Sequence, residues 1–361
     1  MPEPLAFVRD GAGWIGSGDQ IAGRFGAPDP FASASAWWDR MRRETAPNSS
    51  DGRRVAFGSF PFDREASTGG TLIVPAVATR VAGSLPKLGA PDAPEPVATV
   101  SQGRMTASEY VAAVARVRDA ISTGRLEKAV IARDVIIRSA EGFDQAAILD
   151  RLAAAHGGAA VFAVDGLIGA SPETLVTVHD GVVTARVLAG TAGPGEGEAL
   201  LESQKDLLEH GFAARSVLEA LAPHVRELEA SATPFVLELP HLTHLATDVT
   251  GVIADGSDAL DLVAALHPTA AVAGTPTAVA IELIRELEPR PRGRYSGAVG
   301  WIDESGDGEW AIALRCAQIV GEGVAHAFAG AGIVGDSVPE LELAETALKL
   351  RPILEAFGAA H

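Results

Sequence analysis

From residue 106 onward the apolar positions fall into periods that switch between helix and strand. Thr106-Ala-Ser-Glu109 has the spacing of a capping box, in which a hydroxyl and a carboxylate satisfy free amides at a helix start. Tyr110, Val111, Val114, Val117 and Ile121 continue as one helical stripe, and Gly124 is placed to end it. The β-branched run from Lys128 to Ile137 predicts a strand with Lys128 at its entrance. Thr174–His179 and Val182–Val187 flank Asp180-Gly181, a strong two-residue hairpin turn. Counting outward from that turn sets Glu173 opposite Leu188, so a carboxylate and the Leu188-Ala-Gly-Thr191 corner share the open end of the ladder. A long helix is predicted over about Ala199–Leu221, a strand over Phe235–Leu239 and a helix over Thr277–Leu287. Three antiparallel strands follow, Tyr295–Asp303, Glu309–Val320 and Val324–Val334, with glycine-rich turns between them. A last helix covers about Pro339–Phe357. Residues 1–100 read as short strands and loops, and the four prolines between Leu85 and Pro96 suggest a connector. Hairpins with intervening helices predict an α+β fold rather than a doubly wound parallel sheet.

Composition narrows the function. The 361 residues carry 29 basic and 47 acidic side chains, a net charge of -18. Nearly all of that excess lies beyond residue 150, and such a field repels nucleic acid and anionic membrane. An anionic small molecule can bind only where cations are placed deliberately. One cysteine, Cys316, excludes a disulfide framework and a cysteine-rich zinc site. No apolar run reaches the ~18 residues needed to span a bilayer, and Met1-Pro-Glu-Pro4 lacks a basic signal-peptide start, so a cytoplasmic location is expected. Length alone fits two domains of roughly 150 residues or one large unit. Only four of the 29 basic residues are lysine (Lys87, Lys128, Lys205 and Lys349), which draws attention to places where arginine cannot serve. Lysine can give up its proton and act as a base.

Three constellations could carry chemistry. Asp206 and Glu209 are spaced i,i+3 on one predicted helix. Glu342 and Glu345 repeat the spacing on another, with Lys349 four residues beyond. Paired carboxylates on two helices can hold a hard divalent cation such as Mg²⁺, although ordinary solvent-facing helices show the same spacing. Strand register places Arg315 near Phe328–Gly330 and Tyr295 near Ala317. Gly330-Ala-Gly332 would let an anion approach backbone amides, and Arg315 could grip a carboxylate with two hydrogen bonds. A packed meander with Arg315 paired to an acid is the alternative. Lys128 and Glu173 form a candidate base and acid, against the reading of Lys128 as a solvated strand end. His241 and His244, spaced i,i+3 beside Pro240, lack an obvious third metal ligand. A core or substrate-orienting histidine fits His244 better.

Eight motifs occur together and in order: Lys128-Ala-Val-Ile-Ala-Arg133, Ser171-Pro-Glu173, Leu188-Ala-Gly-Thr191, Lys205-Asp-Leu-Leu-Glu-His210, His267-Pro-Thr269, Tyr295-Ser-Gly297, Arg315 and Gly330-Ala-Gly-Ile333. In this order the chain resembles the chorismate-utilising enzymes, densely over residues 105–355 and thinly before them. Lysine at position 128 is the mark of members that use water as nucleophile, where anthranilate synthases typically carry glutamine. Ala189 stands where aminodeoxychorismate synthases place a lysine. His267–Pro276 and Val299–Trp310 look most like isochorismate synthases. The loop 192–198 departs from the longer, more basic loop of many relatives, and Asp206 is shorter than the Glu of some.

The resemblance implies one α+β domain over 1–361, with two large β-sheets packed face to face and helices outside, and a chorismate-binding catalytic region over 105–355. It implies Mg²⁺-dependent conversion of chorismate to isochorismate, an isomerase activity, without a glutaminase subunit. Salicylate synthesis is the nearest alternative. An anthranilate synthase component and a non-catalytic chorismate-binding subunit follow. By this resemblance Glu209 and Glu345, supported by Asp206 and Glu342, hold Mg²⁺ against the ring carboxylate. Arg315, Tyr295 and the amides near Gly330 and Gly332 hold the enolpyruvyl carboxylate. Lys128 activates water for attack at C2, and Glu173 protonates the departing C4 hydroxyl. His244 and the Gly190-Thr191 corner orient the ring, with Lys349 beside the substrate.

Overall fold

Strand pairing runs in one unbroken antiparallel path through the molecule. The computed structural model describes residues 3–66, 68–83, 85–89, 97–193, 195–239 and 242–359. Lys128–Arg138 pairs with Val324–Ile333, which pairs with Cys316–Gly321, then Leu167–Ser171, Ala160–Val164 and Leu5–Arg9. The path continues through Ala12–Phe25, Gly70–Ala82, Val55–Ser59, Ala298–Asp303 and Gly308–Ile312. It ends through Thr174–His179, Val182–Ala192 and Leu242–Ile253. The described strands number 18 and form one network.

The network doubles back on itself. Ala132, Phe162 and Phe328 from its first half share a buried cluster with Phe57, Val299 and Ala311 from its second half. Helices cover the outside. Ala107–Ser122 lays Tyr110, Val114 and Val117 against Ile131, Ala331 and Ile333. Pro339–Ala356 buries Leu350, Ile353 and Leu354 against Ile137, Ala325 and Ala327. Fully burying one such aliphatic side chain contributes about 1.5–3 kcal/mol, so these stripes set which face each helix turns inward. This is the α+β arrangement that the hairpins and helical stripes imply. Among the described residues no helix is long and apolar enough to cross a membrane.

Several elements form as their residues dictate. The capping box at Thr106 and Glu109 is made in both directions. The hairpin pairs His179 with Val182 across Asp180-Gly181, and the helix Thr277–Leu287 has the predicted bounds. Others differ. The helix expected over 199–221 is broken into Gly197–Glu202 and Gln204–Leu221. Ser203 ends the first, and its hydroxyl accepts the Asp206 amide at 3.2 Å, competing with the helical backbone for that donor. The strand expected over 309–320 is interrupted at 313–315, where Arg315 adopts φ 49°. The strand expected from Tyr295 starts at Ala298, after Ser296 at φ 60°. The amino-terminal region holds long strands, Ala12–Phe25 and Gly70–Ala82, and an unpredicted helix, Pro30–Glu44, capped by Asp29. Its small, alternating Ala-Ser-Ala-Ser-Ala start hides the helical period. The connector read over 85–96 lies outside the described residues beyond Gly89.

Candidate active site

A cavity of about 300 Å³ opens between the two halves of the sheet network. That is the scale of a small-molecule site. Its lining joins Lys128, Glu173, Gly190, Asp206, His244, Tyr295, Arg315, Gly330, Gly332, Glu342, Glu345 and Lys349, all singled out in the sequence. The side chains of Thr191 and Glu209 lie outside the described residues, as does His241. Thr191 pairs with His244 along the backbone, and Glu209 belongs to the helix Gln204–Leu221.

One wall is the strand pair Lys128–Arg138 and Val324–Ile333. The strand Cys316–Gly321 covers the outer edge of Val324–Ile333 only as far as Ala327. Because backbone groups alternate along an antiparallel strand, the edge beyond that point is left to the cavity at Gly330 and Gly332. Lys349 Nζ donates to the Gly330 carbonyl at 3.1 Å and pairs with Glu345 Oε1 at 2.5 Å. The Lys128 side chain crosses Gly332 so closely that a Cβ there would lie 2.9 Å from Lys128 Cε. Glycine leaves the lysine its path.

The opposite wall carries Glu173 and the Gly190 corner. The hairpin ladder lasts only three pairs, to Thr177 and Thr184, while the other edge of Val182–Ala192 pairs with Leu242–Ile253 along its length, so Glu173 and Leu188 are not ladder partners. Glu173 and Leu188 still line one cavity. Glu173 is fixed through its backbone: its amide meets Ser171 Oγ at 3.2 Å and its carbonyl accepts from the Ile312 amide at 3.1 Å. Burial pushes its carboxyl up to about 7, although Lys128, Lys349 and Arg315 pull the other way. Gly190 sits at φ 75° in a register shift between Ala189 and Thr191, a bulge that a side chain would strain.

His210, quoted in a motif but given no role, supports that bulge. It is buried, with Nδ1 donating to the Ala189 carbonyl at 3.2 Å and Nε2 accepting from Thr247 Oγ1 at 2.6 Å. A carbonyl can only accept, so the proton sits on Nδ1. Burial, then the Lys349 charge, hold His244 down to about 4 against a hydrogen bond to the Gly190 backbone. It is neutral near pH 7.

Arg315 enters from the strand break. Its left-handed backbone costs about 1–2 kcal/mol and turns the chain so that the guanidinium reaches the cavity, with Nη1 3.4 Å from the Lys349 carbonyl. Burial lowers its pKa, opposed by Tyr295, Glu345 and Glu173. Tyr295 stacks on Phe328 with centroids 5.3 Å apart, and burial pushes its phenol up to about 12, so it remains a hydrogen-bond donor.

Carboxylates close the third side. Asp206 projects from Gln204–Leu221, and Glu342 and Glu345 from Pro339–Ala356. Burial raises the Glu342 pKa; a bond to Ser337 opposes this and the Glu345 charge adds to it. Carboxylates facing one cavity, which offer oxygen donors only, suit a hard cation such as Mg²⁺. They are spread rather than clenched. Among the described residues, the one trio with ligand atoms within 4.8 Å is His179, Asp180 and Asp307, at the hairpin turn and outside the cavity lining.

A family model described as chorismate binding enzyme matches residues 83–358. The isochorismate synthase DhbC of Bacillus subtilis is 40% identical over 261 residues, which span 67% of this chain and 65% of that relative. The vibriobactin-specific isochorismate synthase of Vibrio cholerae is 31% identical over 369 residues, spanning 98% of this chain and 91% of the relative. Among solved structures, the DhbC protein of Bacillus anthracis superposes with a TM-score of 0.86 at 30% identity, covering 99% of this chain and 97% of that one. At 19% identity, anthranilate synthase component I of Streptococcus pneumoniae shares the fold, with a TM-score of 0.75 and coverage of 98% and 92%.

Proposed function

The chain belongs to the chorismate-binding enzymes, in their isochorismate synthase branch, and from that premise we propose that it converts chorismate to isochorismate. One observation carries the reading: Lys128 and Glu173 line a single cavity from opposite walls, together with Arg315 and Lys349. Chorismate is a dianion, and an acidic chain must meet it with local cations. Arg315 grips the enolpyruvyl carboxylate, Tyr295 adds a donor, and the exposed edge at Gly330 and Gly332 supplies backbone groups. Lys349 holds the Gly330 carbonyl and adds positive charge.

The chemistry adds one water and releases another. Lys128 takes a proton from water as its oxygen bonds to C2. The ring double bonds shift, and the C4–O bond breaks as Glu173 gives the departing hydroxyl its proton. A pKa of about 7 leaves Glu173 roughly half protonated at neutral pH, suited to an acid that must be recharged each turnover. Neutral His244 and the Gly190-Thr191 corner orient the ring. Glu345 and Glu209, with Asp206 and Glu342 in support, would hold Mg²⁺, which when bound would offer positive charge to the ring carboxylate.

Incubation with chorismate and Mg²⁺, with products resolved by chromatography, tests this reading. Isochorismate is expected. Salicylate with pyruvate would make the chain a salicylate synthase. Anthranilate formed with ammonia, or chorismate bound but unchanged, would overturn the proposal.

A further inference from the structure

The strand that carries Lys128 has an unusual outer edge. Gly274 and Thr275 pair with Ala129 and Lys128, and the Val130 amide donates to the Ala273 carbonyl at 2.9 Å. Farther along, Thr99–Gln102 pairs with Val135–Arg138. Between these partners two side chains fill the ladder. Arg292 Nη2 donates to the Val130 carbonyl at 2.7 Å, and Glu288 Oε1 accepts from the Ala132 amide at 2.9 Å. A guanidinium supplies the donor and a carboxylate the acceptor that a neighbouring strand would have offered.

The two are paired to each other, Arg292 Nη2 to Glu288 Oε1 at 2.7 Å, with side chains only 1% and 6% exposed. Arg292 Nη1 also donates to the Val272 carbonyl at 2.8 Å, and the guanidinium lies 4.2 Å over the Phe62 ring. Val130 and Val272 both line the cavity, and the Tyr295 amide donates to the Arg292 carbonyl at 3.2 Å. Apolar residues of matching volume often replace a buried ion pair at little cost in stability, so burial alone does not account for charges here. Apolar residues cannot replace the two ladder bonds.

We propose that Glu288 and Arg292 are positioning residues for the reaction: together they stand in for a missing strand and fix the edge that aims Lys128 into the cavity. The inference rests on the proposed function for its kinetic consequence, but not for the ladder itself. The test pairs hydrogen exchange with kinetics. In the wild type the Ala132 amide exchanges as slowly as those of Ile131 and Arg133, which face the neighbouring strand. In Glu288→Leu/Arg292→Met that amide exchanges at least about 10-fold faster while Val324–Ile333 stays protected. Turnover falls about 10–100-fold, the scale of a roughly 1 Å misplacement, while KM for chorismate changes less than about threefold. Arg292→Lys, which keeps charge but loses the fork, shows the same split more weakly.

A wild-type kcat in the folded double variant would overturn the proposal. So would fast exchange of Ala132 in the wild type, or loss of protection throughout the sheet in step with activity. If the wild type makes no isochorismate, the functional reading fails alone and the exchange result still decides the ladder.

Discussion

Gly332→Ala separates aiming Lys128 from merely having it. Gly332 has no left-handed φ, faces the cavity, and tolerates an alanine backbone. The new Cβ would stand 2.9 Å from Lys128 Cε and 3.5 Å from Nζ, where ordinary contact begins at 3.4 Å. Lys128 must therefore withdraw its tip by about half an ångström or more, and it can, because the obstacle meets the end of a flexible side chain. The cost falls on geometry rather than on folding. Surface changes of this kind usually alter stability by about 0.5 kcal/mol or less, whereas displacement of a reacting group by about 1 Å can cost 10²-fold in rate. Gly330→Ala is the control: its Cβ would meet the Ile131 carbonyl oxygen at 3.0 Å and two flanking side chains at 3.2 and 3.3 Å, contacts that cannot swing aside, so stability should fall. Thermal melts and steady-state turnover of both variants decide the matter. A Gly332→Ala protein with wild-type kcat would refute the claim that the path of Lys128 is set by this glycine.

Glu173 gives a pH signature. Its carboxyl is raised from 4.5 to about 7, so the folded state holds its proton more tightly than the unfolded chain. That contribution to stability is fully present below about pH 4.5 and is lost as pH rises through about 7. Turnover should lose its acid over the same upper range. In Glu173→Gln, melts should lose that pH dependence and kcat should fall by at least ~10²-fold; an unchanged kcat would remove Glu173 from the chemistry. Arg315→Lys keeps charge but not the two-pronged grip, so KM for chorismate should rise with stability little changed; an unchanged KM would count against it. Excess chelator should abolish turnover and Mg²⁺ restore it, and Glu345→Ala should lose Mg²⁺ binding by calorimetry; full activity in chelator would exclude the metal role.

How much of this is legible in the sequence differs by element. Local signals translate directly: the capping box at Thr106, the Asp180-Gly181 turn and the Thr277–Leu287 stripe all depend on neighbours within a few residues. Breaks set by one backbone are not legible. Nothing in the apolar run 309–320 announces that Arg315 turns left-handed, yet that turn brings its guanidinium to the cavity. Lys128, Glu173 and Tyr295 are joined by the ordered motifs and Lys349 by its spacing from Glu345, and only the fold shows which walls they occupy. The ladder made by Glu288 and Arg292 is not legible for a plain reason. An i,i+4 Glu–Arg pair beside two prolines reads as ordinary surface charge, and only its burial against Val130 and Ala132 reveals the bonds it makes.

We propose Lys128 as the base rather than a solvated strand end. Lys128→Arg preserves positive charge and removes the group that can give up a proton. The decisive measurement is kcat for isochorismate formation by this variant, alongside its affinity for chorismate. Near-normal binding is expected, with turnover reduced by at least ~10²-fold. Wild-type turnover in Lys128→Arg would contradict it.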